Sequence, residues 1–241
     1  MAKVDYGMKT KQERIAYQNR PRYQWFRKIN LLESLKSRDF WIAIYLFMAF
    51  QGSILFLTLS SAKDNNKLYL AISMILAFGV SIHGIIMARR RQRVKFRYDN
   101  IVWWKVGLST IFIYLGVFSI SVLFVHFDLE IVQQPNQDAL NKLIQTYFLP
   151  MTFITTVVAP ITEELTFREF LPHAFGPSYI SFIISSIIFA LLHSPSGLIG
   201  IIMYGFLSIA FLYLRLTTNN IMLTIFAHMG YNLLTVLLAL L

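Results

Sequence analysis

Seven long apolar stretches dominate this sequence and leave few folds open to it. They cover residues 40–62, 68–88, 101–126, 143–171, 179–193, 198–215 and 221–241. A helix rises about 1.5 Å per residue and needs about 20 apolar residues to cross the hydrocarbon layer, and most of these stretches reach or approach that length. The shortest of them, residues 179–193, is marginal. We therefore predict an all-α fold, a polytopic membrane helix bundle with about seven transmembrane helices.

The composition excludes two classes of protein. Charged residues make up only 14% of the 241 residues and apolar residues 56%, whereas soluble domains average about 25% charged residues. So few charges cannot cover a water-facing surface, and the many aromatic residues are untypical of disordered chains. The sequence has no cysteine, which excludes disulfides, thiolate nucleophiles and thiolate metal sites.

Positive charge is concentrated in the first half of the chain. Residues 1–100 hold 18 basic and 6 acidic residues, whereas residues 106–241 hold 3 basic and 6 acidic ones. Because cytoplasmic loops are enriched in Lys and Arg, the basic tail and the basic loop at residues 89–100 predict a multi-pass cell-membrane protein with a cytoplasmic N-terminus. The nearly uncharged second half argues against a nucleic-acid partner. The expected partner is the lipid bilayer.

The same patterns divide the chain into three regions. Residues 1–39 form a basic tail in which aromatic residues alternate with cations, a mixture that fits either the headgroup layer of an anionic leaflet or plain solvent. No apolar run near Met1 fits a cleaved signal peptide. Residues 40–142 comprise three transmembrane helices and an outer loop. Residues 143–241 form a helical core, in which Pro172 and Pro177 are expected to break the chain.

Charged residues inside the fourth apolar stretch are costly, at roughly 2.5–3.5 kcal/mol each, and therefore suggest a function. Glu164 and Arg168 are four residues apart, so they share a helix face and can pair. Glu163 points about 100° away from that face and has no such partner. One carboxylate is therefore expected to be neutralised and the other to be available for chemistry. Pro160, just upstream, leaves a backbone carbonyl without its helical donor.

Two further polar positions lie on the last apolar stretches. His193 ends the fifth stretch, and His228 and Asn232 lie four apart on one face of the seventh. Each alone is typical of a hydrogen-bonded structural residue. At 1.5 Å per residue, Glu163 lies about 12 Å and His228 about 10 Å from the cytoplasmic ends of their helices. His193 is expected roughly 9 Å out of register with them.

Together these residue types fit hydrolysis of a peptide bond. A carboxylate in an apolar site can act as a general base on water, a histidine can orient that water, and an amide N–H can stabilise an oxyanion. Alternatively Glu163, His193 and His228 could hold one divalent metal ion such as zinc, which leaves a fourth position for water. The spacing differs from the His-Glu-x-x-His zinc motif, and there is no Gly-x-Ser-x-Gly nucleophile motif.

Three motifs follow one another in this part of the chain: Glu163-Glu164-x-x-x-Arg168, Phe189-x-x-x-His193 and His228-x-x-x-Asn232. Their order and spacing resemble the signature of the CPBP family, the Abi or type II CAAX prenyl endopeptidase-like intramembrane proteases. The resemblance covers about residues 152–241. It implies a membrane bundle with a water-filled cavity open toward the cytoplasm.

The resemblance also implies roles for these residues. Glu163 would be the general base, His193 would help to hold the attacking water, and His228 and Asn232 would stabilise the oxyanion. Glu164 and Arg168 would be supporting residues. Such proteases have been described both as metalloproteases and as glutamate-dependent enzymes, and two histidines with one glutamate satisfy either mechanism.

The expected function is thus an intramembrane endopeptidase that hydrolyses a peptide bond of a membrane-associated protein or peptide. Bacterial members of the family are linked with bacteriocin self-immunity, so a non-catalytic immunity or scaffold protein is one alternative. A proton-coupled transporter, in which Glu163, His193 and His228 relay protons, is another. Transporters often contain internal repeats, and this sequence shows none.

Overall fold

The structure is a computed structural model that describes residues 28–91, 103–129, 132 and 134–238. Within these residues every regular element is a helix, which confirms the predicted all-α bundle. The predictions for the first 27 residues of the basic tail and for most of the loop at residues 89–100 lie outside the described residues.

The helices in chain order are α1 (Leu31–Lys36), α2 (Arg38–Ala62), α3 (Lys67–Arg90), α4 (Trp103–His126), α5 (Pro135–Thr146), an irregular helix at residues 148–174 that we call the bulged helix, α6 (Tyr179–Leu192), α7 (Gly197–Thr218) and α8 (Ile221–Leu238). Five of the described helices, α2, α3, α4, α7 and α8, are long and apolar enough to cross a membrane. The predicted number of seven crossings stays a prediction.

Local capping explains where the first long helices begin and turn. Ser37 accepts a hydrogen bond from Asp39 N at the start of α2, and Asn66 accepts from Leu68 N at the start of α3. Such side chains satisfy backbone N–H groups that have no partner inside the helix. Between these helices Asp64 and Asn65 adopt positive φ, which Asp and Asn tolerate better than other non-glycine residues. The result is a tight hairpin of α2 and α3.

The bulged helix changes its backbone register twice. It consists of Phe148–Phe153 (α), Ile154–Val158 (π), Ala159–Glu164 (α), Leu165–Phe170 (π) and Leu171–Ala174 (α). The two π segments therefore flank the turn that carries both adjacent glutamates. Short π segments inside helices occur frequently at functional sites.

Two sequence-based boundaries were wrong. The segment at residues 135–146, predicted mostly as outer loop, is the amphipathic helix α5, and the chain breaks at Tyr147 before the bulged helix begins. The fourth helix therefore starts five residues after the predicted position at 143. Pro172 does not end it either. The helix continues through this proline, and Ser185 Oγ donates at 2.6 Å to Phe167 O, the carbonyl five residues before it. The helix ends at Ala174, before Gly176 with φ +84°.

The ends of the helices define two faces of the bundle. The basic face carries the start of α2 and the end of α3, where Arg91 Nη1 lies 2.8 Å from Asp39 Oδ1. The opposite face, which we call the α5 face, carries α5 and the α2–α3 turn; there Tyr147 Oη lies 2.7 Å from Ser60 Oγ. The core lies between them, where α2, α3 and α8 pack around the bulged helix.

Candidate active site

A cavity of about 290 Å³ lies between the bulged helix and its neighbours. Its wall is formed by residues of α2, α5, the bulged helix, α6, α7 and α8. The four residues predicted to be catalytic all line it: Glu163, His193, His228 and Asn232. The fold thus brings three separated motifs to one space.

The two adjacent glutamates have different surroundings. The side chain of Glu164 is fully buried, with Oε1 3.0 Å from His228 Nδ1 and 3.4 Å from Arg168 Nη1. Glu163 lines the cavity, and its side chain is 17% exposed. This difference follows from the angle of about 100° between successive residues on a helix. One carboxylate is committed to the core and the other faces the open space.

His228 connects the two glutamates. Because a carboxylate oxygen accepts hydrogen bonds, His228 Nδ1 carries the proton donated to Glu164. The opposite nitrogen, Nε2, lies 3.8 Å from Glu163 Oε2. The imidazole also stacks on Phe211, with ring centroids 4.3 Å apart. These contacts hold the ring in one orientation, with Nε2 beside the cavity carboxylate.

His193 is placed by the end of α6. It is the residue immediately after that helix, and its Nδ1 lies 2.8 Å from the backbone oxygen of Phe189. Since a carbonyl only accepts, Nδ1 is the protonated nitrogen, and in the neutral ring Nε2 is an acceptor. The Phe189 ring contacts the imidazoles of both His193 and His228, at 4.4 and 6.3 Å between centroids.

His193 nevertheless lines the same cavity as Glu163 and His228, so the expected register offset does not keep it out of the site. Its ring and that of His228 flank the same phenylalanine beside one cavity. One reason is that the bulged helix continues to Ala174, three residues past its predicted end at Leu171. Those residues place Glu163 about 4.5 Å farther from the basic face.

Asn232 donates a hydrogen bond to a backbone carbonyl that has no helical donor because of Pro160. The N–H of Ala159 bonds to Ile154 O, five residues back. The next N–H in this register would reach Thr155 O, but it belongs to Pro160, which has none. Instead Asn232 Nδ2 donates to Thr155 O at 2.9 Å. The proline therefore creates the acceptor that docks the asparagine of α8 at the cavity wall.

Arg168 lies on the side of Glu164 and His228 that faces the basic face. Its side chain is fully buried, lies 4.0 Å from the Phe189 ring centroid and reaches Ser208 of α7, where Nη2 is 3.3 Å from Oγ. The sequence pairing of Glu164 with Arg168 is thus present in the structure. Arg168 also fastens α7 to the bulged helix, a contact that helical spacing could not indicate.

Sequence reasoning missed a second buried ion pair nearer the basic face. Glu169 Oε2 lies 2.7 Å from Arg215 Nη2, and both side chains are almost fully buried. The partners are separated by 46 residues, so no local spacing could reveal them. The sequence did show one charged residue near the end of each of two apolar stretches, Glu169 and Arg215. This pattern is also typical of ordinary anchors at the membrane interface, so it did not indicate a pair.

The expected metal ligands do not form a three-ligand group here. Within the described part of the chain, no three His, Asp or Glu side chains are arranged so that they could hold a metal ion. Glu163 and His228 approach each other, and His193 lines the same cavity. Metal dependence therefore stays a prediction.

The position of the cavity bears on two expectations about which side of the membrane it opens to. Its lining reaches residues of α5 at the α5 face, whereas Phe167 and Phe211 close it toward the basic face. The charge pattern predicts that the basic face is cytoplasmic, and the family resemblance implies a cavity open to the cytoplasm. These two expectations cannot both hold for this arrangement.

Comparisons with known proteins agree with the motifs. Residues 145–234 match the family described as Rce1-like, type II CAAX prenyl endopeptidase Rce1-like. The chain is 31% identical over 114 residues to the "Putative membrane peptidase YdiL" of Bacillus subtilis, which covers 45% of this chain and 44% of that protein. No solved structure matches the chain.

Two relatives from Lactococcus lactis carry names without an activity. UPF0177 protein YvdC is 29% identical over 129 residues, which is 52% of this chain and 49% of YvdC. UPF0177 protein YbdI is 28% identical over 130 residues, which is 53% of this chain and 68% of YbdI. The chain thus spans about half the length of YvdC and YdiL. Over residues 145–234 the chain is therefore similar to the Rce1-like type II CAAX prenyl endopeptidases, the similarity that its three motifs predict.

Proposed function

We propose that this protein is an intramembrane endopeptidase that hydrolyses a peptide bond of a membrane-associated protein or peptide, with water activated by Glu163. The observation that carries the proposal is the different fate of two adjacent carboxylates. Glu164 is buried against Arg168 and His228, whereas Glu163 lines the cavity. A general base must reach a water molecule and must not be neutralised by an arginine.

In the proposed reaction Glu163 takes a proton from a water molecule in the cavity. The resulting hydroxide attacks the scissile carbonyl carbon, and the carbonyl oxygen becomes an oxyanion. His193 Nε2, an acceptor in the neutral ring, helps to orient the attacking water. As the C–N bond breaks, Glu163 returns its proton to the leaving nitrogen. The products are a carboxylic acid and an amine, and Glu163 is again ionised.

His228 and Asn232 are the proposed oxyanion donors. Asn232 Nδ2 has two N–H groups, of which one donates to Thr155 O; the second can donate to the oxyanion. His228 already donates from Nδ1 to Glu164, so in its doubly protonated form it can also donate from Nε2. Glu164 and Arg168 are positioning residues in this scheme, because they act through His228.

Replacement of Glu163 by glutamine tests the base. Glu163→Gln keeps the volume of the side chain and removes its basicity, so cleavage of membrane-associated peptides by the purified protein should fall by about 10²- to 10⁴-fold. Glu33→Gln, on the exposed surface of α1, is the matched control and should cleave normally. Normal turnover by the Glu163 variant would contradict the proposal.

Two additional arms separate the alternatives. A scaffold or immunity protein would keep its cellular phenotype with Glu163→Gln, whereas a protease would lose it together with cleavage. A proton relay would tolerate Asn232→Ala better than a protease does, because an amide carries no titratable proton. Incubation of the wild-type protein with a chelator before the cleavage assay tests the predicted metal dependence, since loss of activity restored by zinc would demand a metal ligand.

A further inference from the structure

The end of the cavity at the α5 face is accessible. Thr58 of α2 and Ala139 and Asn141 of α5 line the cavity, and all three residues are exposed. By contrast Phe167, Phe189 and Phe211, which line its deep end, are almost completely buried. The cavity therefore begins beside exposed residues at the α5 face and ends among buried side chains in the middle of the bundle.

Buried side chains fill the route from the proposed catalytic cluster (Glu163, His193, His228 and Asn232) to the basic face. Between Glu163 and the basic face lie the buried side chains of Arg168 and Phe170, both 0% exposed. Nearer still to the basic face, the ion pair of Glu169 with Arg215 joins the bulged helix to α7. Water or peptide entering from the basic face would have to disrupt buried charged pairs, which is strongly unfavourable when a charge loses its partner.

The charge of the two faces assigns them to the two sides of the membrane. Ten Lys and Arg residues precede α2 or begin it, and six more lie at residues 89–100, between the last turn of α3 and the start of α4 in the sequence. The segments of the α5 face hold three cations, Lys63, Lys67 and Lys142, and acidic residues that balance them. Short-loop Lys and Arg bias of this size places the basic face in the cytoplasm.

Tryptophans support this placement of the membrane. Trp41, Trp103 and Trp104 are each about 60% exposed and lie in the first turns of α2 and α4, at the basic face. Tryptophan concentrates at the headgroup layer. Glu163, about three turns from the end of its helix at Ala174, lies well inside the hydrocarbon layer on this assignment.

We propose that the catalytic cavity opens at the extracytoplasmic surface and that its substrate is an uncharged, largely apolar peptide segment presented there. The substrate part of this inference rests on the proposed peptidase function. Among the described residues that line the cavity, Glu163 is the one Asp, Glu, Lys or Arg, so a charged segment would enter without a counter-ion at the walls apart from the catalytic cluster. Such burial is unfavourable.

The polar groups near the mouth suit a peptide backbone. Gln51, Gln137 and Asn141 all line the cavity, and each primary amide can both donate and accept. Gln137 Nε2 lies 3.0 Å from Asn141 Oδ1, so these two amides already form a pair at the edge. An extended peptide could exchange hydrogen bonds with them while its apolar side chains contact Phe47, Phe50 and Ile54.

The absence of cysteine from the sequence permits a direct test of the access side. Single-cysteine variants Asn141→Cys and Lys142→Cys report the α5 face, and Arg90→Cys and Thr217→Cys report the basic face. All four native residues are exposed. Thr235→Cys reports the cavity interior on α8. Each variant, produced in bacterial spheroplasts, is treated with a small, charged, membrane-impermeant thiol reagent before and after detergent.

We expect the two α5-face variants and Thr235→Cys to react in intact spheroplasts, and the two basic-face variants to react only after detergent. Reaction of the basic-face variants alone would reverse the access side, and protection of Thr235→Cys while Asn141→Cys reacts would close the cavity to that side. Either result overturns the inference. Labelling requires no catalysis, so the same pattern is expected in a Glu163→Gln background, and an inactive enzyme does not affect this test.

Discussion

The two halves of the bundle bury polar groups of different kinds. In the half formed by α2, α3 and α4, the buried polar side chains are mostly serines that bond to backbone oxygens, as Ser53 does to Phe50 O and Ser81 to Ala77 O. In the half formed by the bulged helix, α7 and α8, the buried groups include glutamates, arginines and a histidine.

The exposure of the helices differs in the same direction. Within their most apolar windows, α2, α3 and α4 are 17–28% buried inside the protein, whereas α7 and α8 are 33% and 44% buried. A helix that faces lipid needs only internal hydrogen bonds. A helix that carries ionisable groups must hide them from lipid. The first half therefore supplies a wall and the second half holds the chemistry, a contrast that substitutions can test.

The largest effect is expected from Arg168→Ala. Removing this guanidinium leaves Glu164 buried without its cation, so the free energy of unfolding in detergent should fall by about 3–5 kcal/mol. The matched variant in the first half is Arg91→Ala, which breaks the Asp39–Arg91 pair, where the Arg91 side chain is 30% exposed. Partly exposed pairs contribute about 1 kcal/mol or less.

A double variant sharpens the same point. Glu164→Gln combined with Arg168→Met removes both charges. The free energy of unfolding should then fall by less than in Arg168→Ala alone, since no unpaired charge is left. Activity should stay low, because His228 loses the carboxylate that orients it. Equal destabilisation by Arg168→Ala and Arg91→Ala would remove the energetic distinction between the two halves.

Asn232→Ala tests the cavity wall of the second half. Loss of one oxyanion donor typically lowers kcat by about 10²- to 10³-fold, and we expect a decrease of that size with KM little changed. Gln145→Ala on the exposed side of α5 is the amide control and should leave kcat unchanged. A change confined to KM would instead make Asn232 a substrate-binding residue.

Pro160→Ala addresses how the backbone positions that asparagine. The new N–H can donate to Thr155 O and compete with Asn232 Nδ2, which now occupies it at 2.9 Å. Misplacement of a catalytic group by about 1 Å can cost up to 10²-fold in rate, so we expect kcat to fall by about 10- to 100-fold. The fold should persist, because alanine is a strong helix former. An unchanged kcat would separate the proline from the geometry of the site.

The sequence predicted those features that depend on local patterns. Apolar runs located α2, α3, α4, α7 and α8 within a few residues, and i, i+4 spacing paired Glu164 with Arg168. The helix α5 was missed because its segment is polar enough to resemble a loop. Its apolar stripe becomes meaningful only when it covers the mouth of the cavity.

Features that depend on tertiary neighbours could not be predicted in this way. The Glu169–Arg215 pair joins residues 46 positions apart, and Arg168 reaches Ser208 across 40 positions. The two π segments also follow no recognised composition, although Pro160 indicated that one carbonyl would need a partner from elsewhere. The sequence therefore did not predict how α7 and α8 pack onto the bulged helix, and this packing completes the site.

The smallest effect is expected in the first half, from Tyr45→Phe. Tyr45 Oη lies 3.0 Å from His83 Nδ1, and both residues are exposed on the outside of the α2–α3 hairpin. Side-chain hydrogen bonds between membrane helices average about 0.6 kcal/mol, because the separated groups also find other partners. We therefore expect a loss of about that size in the free energy of unfolding, measured in the same detergent as Arg168→Ala, and normal cleavage. A loss as large as that of Arg168→Ala would mean that the first half also relies on a polar contact for its integrity, and the division between a lipid-facing wall and a chemical core would not hold.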